Sequence, residues 1–172
     1  MTRNAVLAWT AQTLNGLPPL PVLRPDQSGP VPVEALDHRP KRGQAADSVI
    51  VVAVLPSSNE RRFAHPRGEY GSKIRDLSIR LDLYWITMDE QVGGQVFDAL
   101  LDNIDDLFRG YPEPSIGVQM VDPLTGEQSI LQKVGEEIRT AVADPVRDPD
   151  ELEGLVLFTA QKWLTVSELL AG

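Results

Sequence analysis

The stretch "KIRDLSIRLDLYWIT", residues 73–87, carries the clearest structural pattern in this chain. Apolar side chains fill every second position from Leu77 through Leu81 to Trp85, and polar or aromatic residues stand between them. A period of two places successive side chains on opposite faces of a strand. The stretch therefore predicts a β-strand that buries one of its faces.

A second strand is predicted just before it. The run "SVIVVAVLP", residues 48–56, is continuously aliphatic, which is typical of a strand covered on both faces or lying at a protein interface. The connection at residues 57–76 contains turn residues and a basic cluster: Arg61, Arg62, Arg67, Lys73 and Arg75. We expect an extended, functional β-hairpin or long loop there.

A helix is predicted directly after the strand. Thr87 and Glu90 have the spacing of a capping box, and Gly110 is the expected end of the helix. Its predicted buried face consists of Val92, Val96, Leu100, Ile104, Leu107 and Phe108. Its other face carries Asp98, Asp102, Asp105 and Asp106, which we interpret as a solvated acidic face because no histidine lies nearby to complete a metal site.

The ends of the chain complete an α+β fold. A short helix is predicted at residues 3–14, and a Pro-rich arm or long loop at 16–43 holds 7 of the 14 prolines. Alternating patterns predict a long strand at 127–144, with a bulge at Gly135, and a last strand at 153–170. Because predicted hairpins outnumber crossover helices, we expect a mainly antiparallel sheet with one long helix packed on it, in a single domain over residues 1–172.

Composition narrows the function. No apolar run reaches the length of a membrane span and no secretory signal is evident, so we expect a soluble protein. The absence of cysteine excludes disulfides and thiolate sites. The net charge of −9 argues against a general nucleic-acid binder. That charge is uneven, since residues 1–80 carry +4 and residues 81–172 carry −13. Such polarity suits a subunit whose positive part meets the negative part of a neighbouring copy, and it is equally compatible with ordinary solvated charge.

No motif for chemistry is found. The chain lacks a phosphate-binding loop and a GxSxG elbow, and its two histidines, His38 and His65, lie 27 residues apart without neighbouring cysteine. Glu136 and Glu137 point to opposite sides of a predicted strand. We therefore predict no catalytic residue, no metal and no cofactor, and a protein that is not an enzyme.

The order of these features resembles that of the tail-terminator, or tail-completion, proteins of tailed bacteriophages and related phage-tail-like particles. The resemblance rests on the short first helix, the strand leading into a basic hairpin, the strand "LSIRLDLYWIT" and the helix "DEQVGGQVFDALLDNIDDLF" after it. It implies a ring, six-membered in that family, that ends the tail tube and joins it to head-completion proteins in the virion neck.

The resemblance also implies partners and surfaces. The expected partners are copies of the chain, the tube protein and, in a contractile tail, the sheath, with DNA passing only transiently through the lumen. The basic hairpin at Arg61, Arg62, Arg67, Lys73 and Arg75 is expected to face the tube or lumen. The acidic helix face at Asp98, Asp102, Asp105 and Asp106 is the candidate inter-subunit contact.

Other functions stay open on the sequence alone. The Pro-rich arm and the length of the chain are also compatible with a head–tail connector or neck protein of another type. A small-ligand-binding or enzymatic α+β domain would use His65, Glu69 and Tyr70 first, and an adaptor would present Pro18 to Pro25 to a peptide-binding domain.

Overall fold

A computed structural model describes residues 3–21, 30, 32–36, 49–62, 73–88, 90–109, 119–134, 137–147 and 155–170. Within them are two helices, α1 (Arg3–Leu14) and α2 (Glu90–Arg109). The strands are β1 (Val33–Leu36), β2 (Val49–Arg62), β3 (Lys73–Thr87), β4 (Gln119–Val121), β5 (Gln128–Val134), β6 (Arg139–Val142), β7 (Val146–Arg147) and β8 (Val156–Leu170). The stretch with the clearest alternation is thus a strand over its whole length.

One sheet contains all eight strands. Its main path runs β1, β2, β3, β8, β5, β4, and every pairing is antiparallel except that of β1 with β2. The predicted α+β class with a mainly antiparallel sheet is confirmed. The central strand β3 pairs with β8 along its entire length, from Lys73 opposite Leu170 to Thr87 opposite Val156.

Three short strands share the remaining edge of β8. Along that edge β5 pairs near Leu169, β6 near Gln161 and β7 near Leu157, so the chain from β5 to β7 runs antiparallel to β8 in three pieces. The sequence predicted one long strand with a bulge at Gly135. A register irregularity falls between Leu131 and Lys133, while Gly135 itself lies outside the described residues.

Both helices cover the same face of the sheet. The apolar side chains of β3 that alternate from Leu77 to Trp85 are at most 2% exposed, and they share one core with both helices. Trp85, Phe97 and Phe158 form a ring cluster with centroids 5.6–6.3 Å apart, and Trp9 meets Phe108 edge-on at 6.2 Å. Aromatic packing of this kind adds to the area these rings bury.

The buried stripe of α2 differs from the predicted one. Val92 was expected in the core but is 41% exposed, and Gly93 is buried in its place. A Cβ on Gly93 would lie 2.6 Å from Thr87 Cγ2 and 3.1 Å from Phe158 Cε2. The helix approaches the sheet most closely at this glycine, which turns Val92 outward.

The predicted capping box is wrong. The helix begins at Glu90, and Thr87 is still the last residue of β3, opposite Val156. The Thr87 hydroxyl is buried and has no hydrogen-bond partner within the part of the chain that the structure describes. Glu90 instead forms an ion pair with Arg147 of β7, so the first turn of α2 is tied to the sheet edge.

Part of the Pro-rich arm belongs to the fold. Leu20, Val33 and Ala35 are buried in the core, and β1 lies parallel to β2 with Val33 opposite Val49. The Asn15 side chain accepts a hydrogen bond of 2.9 Å from the Ala35 backbone N–H. The sequence predicted no strand in this segment; residues 22–29, 31 and 37–43 lie outside the described part.

Burial on both faces is confirmed for the first half of β2. Residues 49–53 alternate between the two faces, yet each is at most 2% exposed. The pairing with β3 shifts register between Val54 and Ser57, around Pro56. Proline has no N–H to donate, so an irregularity at this position is expected.

The β4–β5 hairpin closes through a well-ordered turn. Asp122 Oδ1 accepts backbone hydrogen bonds from Leu124 at 2.8 Å and Thr125 at 3.3 Å, and Gly126 adopts a φ of 73°. The Leu124 hydrogen bond, followed by smaller contributions that include Thr125, lowers the pKa of Asp122 below its ordinary 3.8.

Candidate assembly surfaces

The sheet face opposite the two helices, here called the back face, is built from the other parity of the long strands. On β3 it presents Arg80, Asp82 and Tyr84, and on β8 it presents Gln161 and Trp163. Register places Arg139 and Ala141 of β6 in the same rows, opposite Trp163 and Gln161. The alternation of β3 and β8 dictates this arrangement, because their apolar parity is used by the helices.

A cation–aromatic row crosses the back face at Trp163. Arg80 of β3 lies opposite Trp163 on one side, and Arg139 of β6 lies opposite it on the other. The Arg139 guanidinium carbon is 5.3 Å from the centre of the Trp163 ring, within cation–π range. Within the described chain, no carboxylate forms an ion pair with Arg139.

Asp82 is held beside this row. Its carboxylate is 3.1 Å from Arg80 Nε and accepts a hydrogen bond of 3.3 Å from the Gln161 amide. Both partners come from neighbouring positions on the same face, so the charge of Asp82 is largely balanced where it stands. The residues that line its surroundings include the hydroxyls of Tyr84 and Thr159 and no histidine.

A half-open depression of about 430 Å³ lies next to the row. Its back-face lining consists of Asp82, Tyr84, Ala141, Ala143, Thr159 and Gln161. The depression forms because the side chains on β6 and β8 are small there, and Tyr84, 38% exposed, lies at its side. Because the depression is about half open to solvent, it is accessible to a side chain of another protein as well as to a small molecule.

The acidic face of α2, here called the acidic ridge, lies on the opposite side of the molecule. Asp98, Asp102 and Asp106 are exposed at four-residue spacing. Asp105 differs from them, because its Oδ1 accepts a 2.6 Å hydrogen bond from Lys162 Nζ. The inter-subunit role predicted for these carboxylates stays a prediction, and the three exposed members define the ridge.

Lys162 is a buried charge that sequence reasoning missed. It stands on the core-facing parity of β8, is 1% exposed, and also donates a 2.6 Å hydrogen bond to Thr140 Oγ1. The sequence does place this lysine at an apolar position of an alternating strand, which could have indicated a buried charge. Its partner could not be read from sequence, since Asp105 and Thr140 come from two other elements.

The basic hairpin is divided by the structure. Arg75 turns toward the helix-covered face, where its Nε donates a 2.6 Å hydrogen bond to Oε1 of the fully buried Glu168 opposite it. On the back face, Ser167 Oγ donates to Asp76 Oδ1 at 2.5 Å. The lumen-facing role of the basic cluster, Arg75 included, stays a prediction; the side chains of Arg61, Arg62, Arg67 and Lys73 lie outside the described part.

Two further observations bear on function. In the described ranges, no group of three histidine, cysteine or acidic side chains could hold a metal ion, and neither helix is long and apolar enough to cross a membrane. His38, His65, Glu69 and Tyr70 lie outside these ranges. Scans of protein-family models and of curated proteins found no match to this chain.

Proposed function

We propose that this chain is a structural virion protein that closes into a ring at the end of a phage-type tail tube. The ring, six-membered by the resemblance of the sequence, stops growth of the tube and offers a surface to the head-completion proteins. The observation that carries the proposal is the division of the molecule into two unlike surfaces on opposite sides of one sheet.

Unlike surfaces are what a ring of identical subunits requires. In a closed ring, each contact joins two different patches of the same chain, and those patches must be complementary. The acidic ridge and the back face with its Arg139–Trp163 pair differ in charge and shape and face away from each other. A protein with a single interface of the self-complementary kind needs no such division.

The long strands supply the second element of the proposal. β2, β3 and β8 reach 14, 15 and 15 residues, against about five or six for an average strand. They run side by side to Arg62, Lys73 and Leu170, which carries the basic hairpin to one end of the sheet. A basic segment at this end of the sheet suits a ring lumen through which DNA passes.

The interior supports a rigid building block. The buried charges of Lys162 and Glu168 are each matched by a partner inside the chain, Asp105 and Arg75. Unmatched buried charges destabilise a fold or shift their pKa, and matched pairs of this kind hold elements in register. The Lys162–Asp105 pair joins α2 to the sheet and the Arg75–Glu168 pair joins β3 to β8, which favours the defined geometry that a self-assembling subunit needs.

The direct test uses tube growth. The purified chain is mixed with the polymerising tail-tube protein encoded in the same gene cluster, and tube lengths are measured by negative-stain electron microscopy. We expect shorter tubes with added density at one end. Tubes of unchanged length with bare ends, at a molar excess of the chain, would contradict the proposed function.

A further inference from the structure

We propose that the back face of one copy receives the acidic ridge of α2 from the next copy, with Arg139 over Trp163 as the anchor. This inference rests on the proposed ring function and specifies which two surfaces meet. The occupant of the back face is therefore a second copy of this chain, bound through the three exposed aspartates of the ridge.

Charge complementarity is the first support. Asp98, Asp102 and Asp106 place three exposed negative charges on α2, with Arg109 the only basic residue in the helix. On the back face, Arg139 is exposed and has no ion-pair partner among the described residues, while Arg80 shares its charge with Asp82. The aspartates of the ridge can therefore meet Arg139, the arginine of the Trp163 row that Asp82 does not neutralise.

Spacing is the second support. Helical rise separates Asp98 from Asp106 by about 12 Å and neighbouring members of the ridge by about 6 Å. Arg80 and Arg139 lie one strand to either side of Trp163, which places their backbones about 10 Å apart. Because the Arg139 guanidinium lies over the Trp163 ring, Asp102 at the middle of the ridge can meet it, while Asp98 or Asp106, one turn away, lies beside Arg80.

Shape is the third support. The depression beside the row has small side chains at Ala141 and Ala143, both exposed. On the ridge, the exposed Ala99 lies between Asp98 and Asp102 and adds no bulk. Small residues on both surfaces allow a helix to approach a sheet closely, and Tyr84 at the side of the depression supplies apolar contact area at the margin.

The surfaces also point in opposite directions. The inner side of α2 packs on the sheet, so its outer ridge faces away from one side of the molecule, and the part of the back face at Arg139 and Gln161 is exposed on the other. A copy docked by its ridge consequently presents its own back face to a third copy. Such head-to-tail contacts repeat, and they close into a ring when the rotation between copies permits it.

Charge reversal with restoration tests this pairing. Arg139→Glu and Asp102→Arg are each made alone and together, and association of copies at tube ends is followed by mass photometry and negative-stain microscopy. We expect each single variant to weaken association by about tenfold or more, because like charges then meet in the interface. The double variant should recover association, since every interface again joins opposite charges.

Controls separate folding from docking. Glu127→Arg, on the β4–β5 turn, reverses an exposed charge outside both surfaces and should associate like the unchanged chain. Thermal unfolding by circular dichroism should be similar for all variants. The pairing would be overturned if both single variants associate normally, or if the double variant associates no better than either single one; ring formation itself would still stand. The proposed function would be contradicted if the unchanged chain never reaches tube ends.

Discussion

The charged side chains of this protein are of two kinds, buried and exposed. Lys162 and Glu168 stand at core-facing positions of β8 between apolar neighbours, and each is neutralised by a residue from another element. The displayed charges at Asp98, Asp102 and Asp106 have no such role in the fold. Substitutions of two neighbouring charged residues can therefore change the free energy of unfolding by very different amounts.

Asp105 and Asp106 make this contrast testable. Asp105→Asn leaves Lys162 buried with only the Thr140 hydroxyl and a neutral amide, so we expect the free energy of unfolding to fall by about 3 kcal/mol. Asp106→Asn, at the next exposed position, should change it by less than about 0.5 kcal/mol. Urea unfolding of both variants checks this, and equal effects would contradict the assigned ion pair.

Asp122 gives the fold a dependence on acid. Its pKa is lowered in the folded protein, chiefly by the Leu124 N–H, so its hydrogen bonds stabilise the native state above the ordinary pKa of 3.8. This contribution is lost as the pH falls below about 4 and through the lowered pKa. Unfolding followed between pH 6 and pH 2 should show a steeper loss for the unchanged chain than for Asp122→Asn; parallel curves would count against this role.

The helix–sheet junction shows what local sequence patterns can and cannot give. Alternation alone predicted β3 from Leu77 to Trp85, because the period of two is imposed by burial of one face. The capping-box spacing misled, since Thr87 is held in the ladder opposite Val156 and long-range pairing outweighs a local cap. The four residues of β1 lie among prolines and pair with a distant strand, so no local pattern could reveal them.

The candidate surfaces could also be predicted only in part, because local patterns are visible in a sequence and long-range pairing is not. The acidic ridge follows from helical spacing, which a sequence displays directly. The back-face row does not, because Arg80, Trp163 and Arg139 meet only through the pairing of three strands. Parity indicates which face a side chain occupies, but strand register decides its neighbours.

Two adjacent glycines test how closely α2 approaches the sheet. Gly93→Ala introduces a Cβ 2.6 Å from Thr87 Cγ2, so packing must shift, and we expect a loss of about 1–2 kcal/mol. Gly94→Ala meets only Phe158 at 3.8 Å, and the better helix propensity of alanine should stabilise the protein by up to about 1 kcal/mol. Thermal unfolding of the pair decides the point, since equal stabilisation of both variants is incompatible with the close approach at Gly93.

At the scale of the whole molecule, one sheet separates two surfaces of different character. The helices cover one face of β3 and β8, and the acidic ridge lies on the outer side of α2. The other face of the two strands carries the arginines, Trp163 and the depression.

The most direct measurement is cryo-electron microscopy of tube ends after the chain is mixed with its tube protein. The proposal predicts one closed ring per capped end, of about 113 kDa for six copies of the 18.9 kDa chain, with the ridge of each copy against the back face of the next. Bare tube ends beside monomeric protein would contradict the account.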